Sequence, residues 1–409
     1  YLKEKIKIGK RVLAPFGNQK LEGFILKINN EEITYDLKDI IDVIDEDVIL
    51  NEELLEIGKY ISKKTLCTLI SCYQTMLPKA LKAQNKTKIN KRYVTYLKLN
   101  EIPKNIKSEK QKQILDLLKE GKKLKTECIK ISPSSVKTLL QNNVIHEIKE
   151  EEYRLQEETV LKTNKIKLSQ EQQNVVDEVL KTKNKFVPYL LHGVTGSGKT
   201  EVYMTIIEDI IKSKNVIVLV PEISLTPQFI EKFQNRFGNK IAILHSALSD
   251  GERYDEWRKI KKNKVNIVIG ARSAVFAPVK NLGLVIIDEE HSQTYKQENN
   301  PKYNAIDVAL FRAKKNNCPI VLGSATPSIE SYTRAKTNVY KLLELKTRVN
   351  ASLPIVKLVD MKEEIKSGNR VLSNILIEKI NERINKNEQV ILLLNRRGYT
   401  TIATCKNCG

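Results

Sequence analysis

The stretch that most constrains this chain is LLHGVTGSGKTE, at residues 190–201. It contains the spacing Gly-x-x-x-x-Gly-Lys-Thr, which starts at Gly193 and ends at Thr200. An apolar run precedes it and an amphipathic run follows it, and this context predicts a strand, a tight glycine turn and the start of a helix. Glycines allow the backbone to approach phosphate oxygens closely, and the positive end of the helix favours an anion. We therefore predict a phosphate-binding loop that serves a nucleotide-hydrolysing site.

The residues of this loop have distinct predicted roles. We expect Lys199 to reach the β- and γ-phosphates of ATP and Thr200 to offer its hydroxyl to Mg²⁺. Gln172 lies ahead of the loop on a predicted helix, and we assign its side chain to the adenine edge. The predicted nucleotide-binding residues are Gln172, Gly193, Thr195, Gly196, Ser197, Gly198, Lys199 and Thr200.

Composition limits the class of protein but does not decide its partner. The formal charge is +21, because 70 Lys and Arg residues outnumber 49 Asp and Glu residues. This excess fits a polyanionic partner held in a salt-dependent way, and it fits equally a proteome rich in Lys and Asn. No apolar run approaches the ~20 residues of a membrane span, and no secretory signal opens the sequence. The six cysteines do not suggest a disulfide framework, so we expect a cytoplasmic protein.

The hydrophobic pattern divides the chain into four predicted domains. Residues 1–85 indicate a small β-rich module followed by helices. Residues 105–155 read as helix, short helix, longer helix and hairpin, which is typical of a winged helix that binds DNA or mediates protein contacts. Residues 165–345 alternate short apolar strands with helices, which predicts an α/β fold with a doubly wound parallel sheet that is covered on both faces. Residues 346–409 begin a second such lobe, with a helix and then a strand at 389–395, and we expect this lobe to be truncated.

Two motifs at strand ends complete the predicted nucleotide site. The string LVIIDEEH places an acidic pair at the carboxyl end of an apolar strand, where a doubly wound sheet binds its ligands. We expect Asp288 to hold Mg²⁺ and Glu289 to orient and polarise the attacking water. His291 is predicted to relay the nucleotide state to the DNA side, so the predicted catalytic residues are Lys199, Asp288, Glu289 and His291. In GSATPS, Ser324 and Thr326 are predicted to couple the hydrolysis site to the lobe–lobe interface.

These motifs, taken in order, resemble those of superfamily-two helicases, and the words around them resemble the PriA family (primosomal protein N′). The matching words are GVTGSGKTEVY (193–203), LVPEISLTPQ (219–228), LHSALSDGER (244–253), VIGARSAVFAPVKNLGLVIIDEEH (268–291), YKQE (295–298), LGSATPSIES (322–331) and LNRRGY (394–399). The resemblance implies an ATP-dependent 3′-to-5′ DNA helicase that recognises stalled replication forks and restarts replication by primosome assembly. It also implies that the doubly wound sheet is a RecA-like helicase lobe. It implies branched and single-stranded DNA, single-strand-binding protein and primosome loading factors as partners.

The resemblance also implies which residues contact DNA. The string RVLAPFG (11–17) resembles the family's domain that holds the 3′ end of a nascent leading strand. Other positions match motifs that follow the phosphodiester backbone, and the loop after DEEH resembles an aromatic-rich loop that supplies stacking faces. The implied DNA-binding residues are Gly17, Lys38, Ser246, Arg272, Ser273, Tyr295, Lys296 and Tyr303.

Two cysteines near the end of the sequence match the start of a metal site. The resemblance implies a cysteine-rich insertion that binds two Zn²⁺ ions, and Cys405 and Cys408 fit its opening ligand pair. Two thiolates cannot build a closed tetrahedral site, so we expect no bound zinc in this sequence. Two alternatives stay open beside the helicase: a DNA-structure-binding protein with a vestigial ATPase, and a related superfamily-two translocase on double-stranded DNA.

Overall fold

The computed structural model describes residues 4–29, 37–83, 89–101, 108–155, 166–349, 355–366 and 372–393. The chain divides into two compact units, one that ends at Val349 and one that begins at Asn350. Within the described residues, the first unit contains three β-sheets. None of the helices in those ranges is both long enough and apolar enough to cross a membrane.

The first sheet forms a small N-terminal module that is followed by helices, as predicted. Its elements are β1 (Arg11–Phe16), β2 (Gln19–Phe24), β3 (Asp42–Val43), α1 (Glu52–Thr65) and α2 (Leu69–Met76). The strands are antiparallel in the order β2-β1-β3, with a small core of Val12, Ile25 and Val43. Asn51 starts α1 because its side chain accepts a hydrogen bond from the Leu54 amide at 2.9 Å.

The second sheet belongs to the predicted winged-helix region, but its pairing differs from the prediction. The elements are β4 (Arg92–Leu99), α3 (Glu109–Lys119), β5 (Lys123–Leu124), α4 (Lys125–Ile131), α5 (Pro133–Gln141) and β6 (Ile145–Glu152). The prediction of a hairpin after the third helix is wrong, because β6 pairs antiparallel with β4, ahead of all three helices. This pairing joins segments that are distant in sequence, and no local turn signal announces it.

The third sheet is the main one and has seven parallel strands. They are β7 (Pro188–Gly193), β8 (Asn215–Leu219), β9 (Ile241–Leu244), β10 (Ile267–Gly270), β11 (Leu282–Ile287), β12 (Ile320–Ser324) and β13 (Lys341–Leu345). The strand order is β13-β7-β12-β11-β8-β10-β9. Six helices are interleaved with them: α6 (Gln170–Leu180), α7 (Lys199–Ile210), α8 (Pro227–Phe237), α9 (Asp250–Lys261), α10 (Ala305–Lys315) and α11 (Ile329–Lys336). The α/β fold with a RecA-like doubly wound sheet is confirmed.

The main sheet is buried on both faces, which explains its nearly continuous apolar strands. Alternate residues of β11 point into different cores: Val285 and Ile287 into one, Leu284 and Ile286 into the other. The first of these cores also contains Leu54, Ile57 and Ile61 of α1. The N-terminal helices therefore pack directly on one face of the main sheet.

The second unit contains two described helices, α12 (Met361–Lys366) and α13 (Asn374–Asn385). The predicted helix is confirmed, and Ser373 caps it by accepting a hydrogen bond from the Leu376 amide at 3.1 Å. The predicted strand at 389–395 is wrong for residues 389–393, which lie outside any strand. Ile391 and Leu393 are more than nine-tenths exposed there, because no partner strand within the described residues covers them.

Candidate nucleotide site and nucleic-acid surface

The phosphate-binding loop connects β7 to α7 at the carboxyl edge of the main sheet. Gly196 and Gly198 have φ values of 80° and 79°, a left-handed conformation that favours glycine. A Cβ atom on Gly198 would lie 2.4 Å from Nε2 of Gln172, so the close packing of the loop also requires glycine there. The sequence pattern thus corresponds to a real steric demand.

The backbone amides of the loop point to an anion-binding role. The Ser197 amide donates to the Val194 carbonyl at 3.0 Å and closes the turn. The amides of five loop residues have no hydrogen-bond acceptor in the described part of the chain: Thr195, Gly196, Gly198, Lys199 and Thr200. The Lys199 ammonium group donates to the Gly193 carbonyl at 2.8 Å, and the buried Ser197 hydroxyl has no partner in those ranges. Unpaired donors around a glycine turn fit a phosphate group.

The acidic pair faces the same space as the loop. Asp288 and Glu289 directly follow β11, and both line a cavity of about 530 Å³ together with the whole loop from Thr195 to Thr200. Glu289 has a φ of 45°, an uncommon value for a non-glycine residue that turns the chain sharply after the strand. The fold thus brings together the predicted residues for phosphate, Mg²⁺ and the attacking water.

Two buried tyrosines hold Asp288 in place, and the sequence reasoning assigned this role to neither. The Tyr203 hydroxyl donates to Oδ1 of Asp288 at 3.0 Å, and the Tyr295 hydroxyl donates to the Asp288 carbonyl at 2.6 Å. A Cβ atom on Gly323 would lie 1.7 Å from the Tyr203 hydroxyl, so that glycine makes room for it. Tyr203 lies on α7, far from Asp288 in sequence, and no local pattern could identify this contact.

Burial changes the proton affinities around the acidic pair. Burial and the neighbouring Glu289 carboxylate raise the pKa of Asp288 above its ordinary value, and the Tyr203 hydrogen bond opposes them. Burial also raises the pKa of Tyr203 well above its ordinary value, and the nearby Asp288 charge adds to this rise. The site therefore has an excess of negative charge that a cation would relieve.

The three predicted relay and coupling residues lie together beside this pair. Nδ1 of His291 lies 2.8 Å from the Ser324 hydroxyl and 3.5 Å from the Glu289 carboxylate. The Thr326 amide donates to the same Ser324 hydroxyl at 3.0 Å. Two hydrogen bonds to the Ser324 hydroxyl and the close approach of His291 to Glu289 therefore connect the end of β12 to the acidic pair.

Gln172 departs from its predicted role. Its side chain is only 5% exposed, its Nε2 donates to the Ser197 carbonyl at 2.9 Å, and its Oε1 accepts from the Ser169 amide at 2.8 Å. The amide thus caps α6 and supports the phosphate loop from behind. The expectation that it faces adenine is wrong in this structure, because both of its ends are engaged inside the protein.

The predicted backbone-tracking residues lie at the surface of the main sheet domain. Arg272, Ser273 and Lys296 line a cavity of about 640 Å³, and Ser246 is exposed on a neighbouring loop. The Arg272 guanidinium donates to the Lys296 carbonyl at 2.7 Å, which ties the loop after DEEH to this surface. The hydroxyl, guanidinium and ammonium groups present here suit contacts to phosphates.

The prediction that Tyr295 and Tyr303 offer stacking faces is wrong in this structure. Tyr295 is 1% exposed and Tyr303 is 4% exposed. Tyr303 packs edge-on against Phe276 beneath the Arg272 guanidinium, and burial raises its pKa to about 12. Aromatic residues in a polar loop look like exposed platforms in the sequence, but here they anchor the loop to the domain.

The two predicted residues of the N-terminal pocket lie in contact. The Lys38 ammonium group donates to the Gly17 carbonyl at 3.3 Å, and both residues are exposed. Gly17 has a φ of 59° in the turn between β1 and β2. Phe16, which no pattern singled out, is 73% exposed beside this turn.

The predicted zinc ligands, Cys405 and Cys408, lie outside the described residues. Within those residues, no group of three or more His, Cys, Asp or Glu side chains is arranged to hold a metal ion. The four cysteines with described positions are free thiols, as predicted.

Comparison with known proteins agrees with this architecture. Residues 169–335 match the DEAD/DEAH box helicase family, and residues 2–78 match the 3′ DNA-binding domain (3′BD). Replication restart protein PriA of Bacillus subtilis (strain 168) is 40% identical over 100% of this chain and 61% of its own length. The PriA proteins of Synechocystis and Chlamydia trachomatis are 44% and 36% identical, over 68% and 94% of this chain and 34% and 53% of their own lengths.

The matched segments thus span between about a third and three fifths of the length of these relatives. The two matched families follow the order of the domains described above. The 3′ DNA-binding domain family matches the N-terminal module, and the helicase family matches the main sheet domain. The chain therefore belongs to the replication restart protein PriA family.

Proposed function

We propose that this chain carries the motor of an ATP-dependent DNA helicase that moves 3′ to 5′ and restarts replication at stalled forks. One observation carries the proposal: the phosphate loop and the acidic pair, which are distant in sequence, line the same cavity. A loop with five amides that have no acceptor among the described residues, a lysine and two carboxylates are the parts that phosphoryl transfer to water requires.

The residues of the cavity divide the work of ATP hydrolysis. The loop amides and Lys199 bind the phosphates, and Lys199 exchanges its bond to the Gly193 carbonyl for one to the nucleotide. Thr200 and Asp288 are the residues that would hold Mg²⁺, which when bound neutralises phosphate charge. Tyr203 fixes the orientation of the Asp288 carboxylate. Glu289 orients the attacking water and accepts its proton.

Contact with a DNA strand reaches this cavity through the loop after DEEH. Arg272 bonds the loop backbone at Lys296, and Tyr295 of the same loop bonds the Asp288 carbonyl. A strand that displaces the Arg272 guanidinium therefore pulls on the chain that positions Asp288. His291 and Ser324 extend the response toward the predicted lobe–lobe interface.

The remaining domains supply recognition of the fork. We assign capture of a 3′ strand end to the module that contains Gly17 and Lys38, and contact with DNA or protein to the winged-helix region. Single-strand-binding protein and primosome loading factors are the partners. Cys405 and Cys408 would supply two thiolate ligands of a structural Zn²⁺ site. The activity takes place in the cytoplasm, at replication forks.

The test is Lys199→Ala in the full-length protein, measured as ATP hydrolysis with and without forked DNA. We expect DNA-stimulated turnover to fall by roughly 100-fold or more, because a principal donor to the phosphates is lost. Fork binding in the absence of nucleotide is expected to survive. Lys185→Ala is the matched control, since Lys185 is exposed and lies outside the cavity.

Two results would contradict the proposal. Unchanged turnover in Lys199→Ala would remove the loop from catalysis. An unmodified protein that binds forks but never hydrolyses ATP would instead support a DNA-structure-binding protein with a vestigial ATPase.

A further inference from the structure

A cleft lies where the N-terminal helices meet the main sheet domain. It consists of two adjoining cavities of about 640 and 390 Å³, and Thr75, Lys82 and Ser273 line both of them. Thr75 belongs to α2, and Lys82 follows it after one short 3₁₀ turn. Ser273 belongs to the surface that is predicted to follow a DNA backbone. The cleft therefore extends that surface onto the N-terminal domain.

The backbone of Lys82 is held firmly at this position. Its carbonyl accepts a hydrogen bond from the Arg11 guanidinium at 3.1 Å, and its amide donates to the Lys79 carbonyl at 3.3 Å. Arg11 is itself paired with Asp45 at 2.7 Å. Arg11 on β1 of the N-terminal module thus holds the backbone of Lys82, while the Lys82 side chain lines the cleft.

The charge of Lys82 is poorly compensated. In the described part of the chain, its ammonium group has no carboxylate within ion-pair distance. Burial, followed by the nearby Arg253 charge, lowers the pKa of Lys82, and Asp250 opposes them. Asp250 is already paired with Lys79 at 3.0 Å. An anion in the cleft would relieve this repulsion.

A second cation stands on the opposite wall of the cleft. The Arg253 guanidinium donates to the carbonyls of His245 and Ser246 at 3.1 and 3.3 Å, so it is fixed beside the loop that carries Ser246. Within the described residues it has no carboxylate partner. The Lys82 ammonium group, the Arg253 guanidinium and the hydroxyls of Thr75 and Ser273 line the same cavity, and such groups bind phosphates without reading bases. The first cavity also contains Glu222 and Glu298, whose negative charge opposes a phosphate there, so we place the phosphate in the second cavity, with Lys82 and Arg253.

We propose that Lys82 and Arg253 form a phosphate-binding site for the backbone of single-stranded DNA, at the junction of the N-terminal helices and the main sheet domain. The site continues the path of Ser246 and Ser273 and rests on the proposed function. Because Arg11 of β1 holds the backbone of Lys82, a DNA strand bound at this junction contacts the N-terminal module and the main sheet domain at the same time.

The test measures binding of a fluorescent thymidine oligonucleotide of about 20 nucleotides, longer than a typical single-domain site. The full-length protein is titrated at several salt concentrations. We expect Lys82→Ala to weaken binding about three- to tenfold and to reduce the slope of log affinity against log salt by roughly 0.7, as for one lost phosphate contact. Lys82→Glu is expected to have a larger effect, and Lys82→Arg to retain most of the affinity.

Lys63→Ala is the matched control, since Lys63 is exposed on α1 and lines neither cavity. Melting temperatures establish that each variant folds, and Lys82→Arg separates loss of charge from loss of structure. Wild-type affinity and slope in both Lys82→Ala and Lys82→Glu would overturn this site alone. Failure of the unmodified protein to bind the oligonucleotide would overturn the proposed function as well. Binding of pyrophosphate to the same variants is measured as well. If Lys82→Ala weakens pyrophosphate binding but leaves oligonucleotide binding unchanged, DNA is excluded as the ligand of this site.

Discussion

Two domains precede the main sheet, and they are attached to it in different ways. The N-terminal helices share their hydrophobic core with the sheet: Leu54, Ile57 and Ile61 of α1 lie in one cluster with Val285 and Ile287 of β11. The winged-helix region has its own separate core, which is built from three helices and two strands. The N-terminal domain therefore shares a core with the main sheet domain, which we call the fused attachment. The winged-helix region has a separate core, and we call its contact the docked attachment.

The fused attachment is completed by a buried arginine. The Arg312 guanidinium of α10 is fully buried and makes two bonds of 2.9 Å to Glu53 of α1. It also donates to the carbonyls of Val275 and Ala277 at 2.6 and 3.0 Å. The planar guanidinium of Arg312 can donate to α1 and to the carbonyls of the main sheet domain together only if the two domains keep this relative orientation.

The docked attachment consists mainly of charged contacts. The Arg154 guanidinium, just after β6, donates to Asp255 of α9 at 2.8 Å. Asp255 also accepts from Arg258 at 3.1 Å, and Arg258 lies 2.7 Å from Glu151. We therefore expect the N-terminal module to move together with the main sheet domain, whereas a change in the orientation of the winged-helix region would expose less buried apolar area.

The largest effect that tests this comparison is expected from Arg312→Ala. It removes the cation that neutralises the largely buried Glu53 carboxylate, which among the described residues keeps only the Asn316 amide, and it removes the donor to the Val275 carbonyl. We therefore expect the free energy of unfolding to fall by about 3–5 kcal/mol. Chemical denaturation of the chain measures it, and Lys314→Ala, at an exposed position of the same helix, is the control. A loss of less than about 1 kcal/mol, within the range of ordinary single substitutions, would show that α1 is held by apolar contacts alone.

A smaller, salt-dependent effect is expected from Arg154→Ala. This side chain is 27% exposed, and Asp255 keeps its bond to Arg258, so we expect a loss of about 1–2 kcal/mol. The loss should shrink as salt is added, because a partly exposed ion pair is screened. Denaturation at low and high salt measures both. If Arg154→Ala lowers the free energy of unfolding as much as Arg312→Ala does, and by the same amount at low and high salt, the distinction between the two attachments fails.

The smallest effect concerns pH at the docked attachment. Burial raises the pKa of Glu256 on α9 above its ordinary value of 4.5, and Lys259 opposes this only in part. The folded state thus favours the protonated form, so the stability that Glu256 contributes is complete below pH 4.5 and is lost as pH rises through the raised pKa. Glu256→Gln is therefore expected to raise the melting temperature at neutral pH and to have little effect in acid.

Glu252→Gln on the same helix is the control with the opposite sign. The Ser249 hydroxyl and amide lower the pKa of Glu252, so its contribution to stability is present at neutral pH and is lost as pH falls. This variant is expected to lower the melting temperature at neutral pH only. If both variants shift the melting temperature in the same direction, the pH argument fails.

Much of the fold and of the nucleotide site followed from local patterns. The glycine loop, the alternation of strands and helices along the main sheet domain, and the acidic pair at a strand end were all predicted. Each of them depends on backbone geometry within a few neighbouring residues. The closeness of the loop and the acidic pair also followed, since the strands of a doubly wound sheet present their carboxyl ends at one edge.

The tertiary structure decided what depends on distant contacts. It turned Tyr295 and Tyr303 inward, because the Asp288 carbonyl accepts a hydrogen bond from the Tyr295 hydroxyl and the Arg272 guanidinium covers the Tyr303 ring. It engaged Gln172 behind the loop. It also paired β6 with β4 and placed Lys82 across a cleft from Arg253. Periodicity shows which side of an element is apolar, but it does not show which element will cover a polar side chain in a loop. Local sequence patterns thus define the parts of a nucleotide-driven motor, whereas the packing of distant segments selects the side chains that stay exposed for contact with DNA.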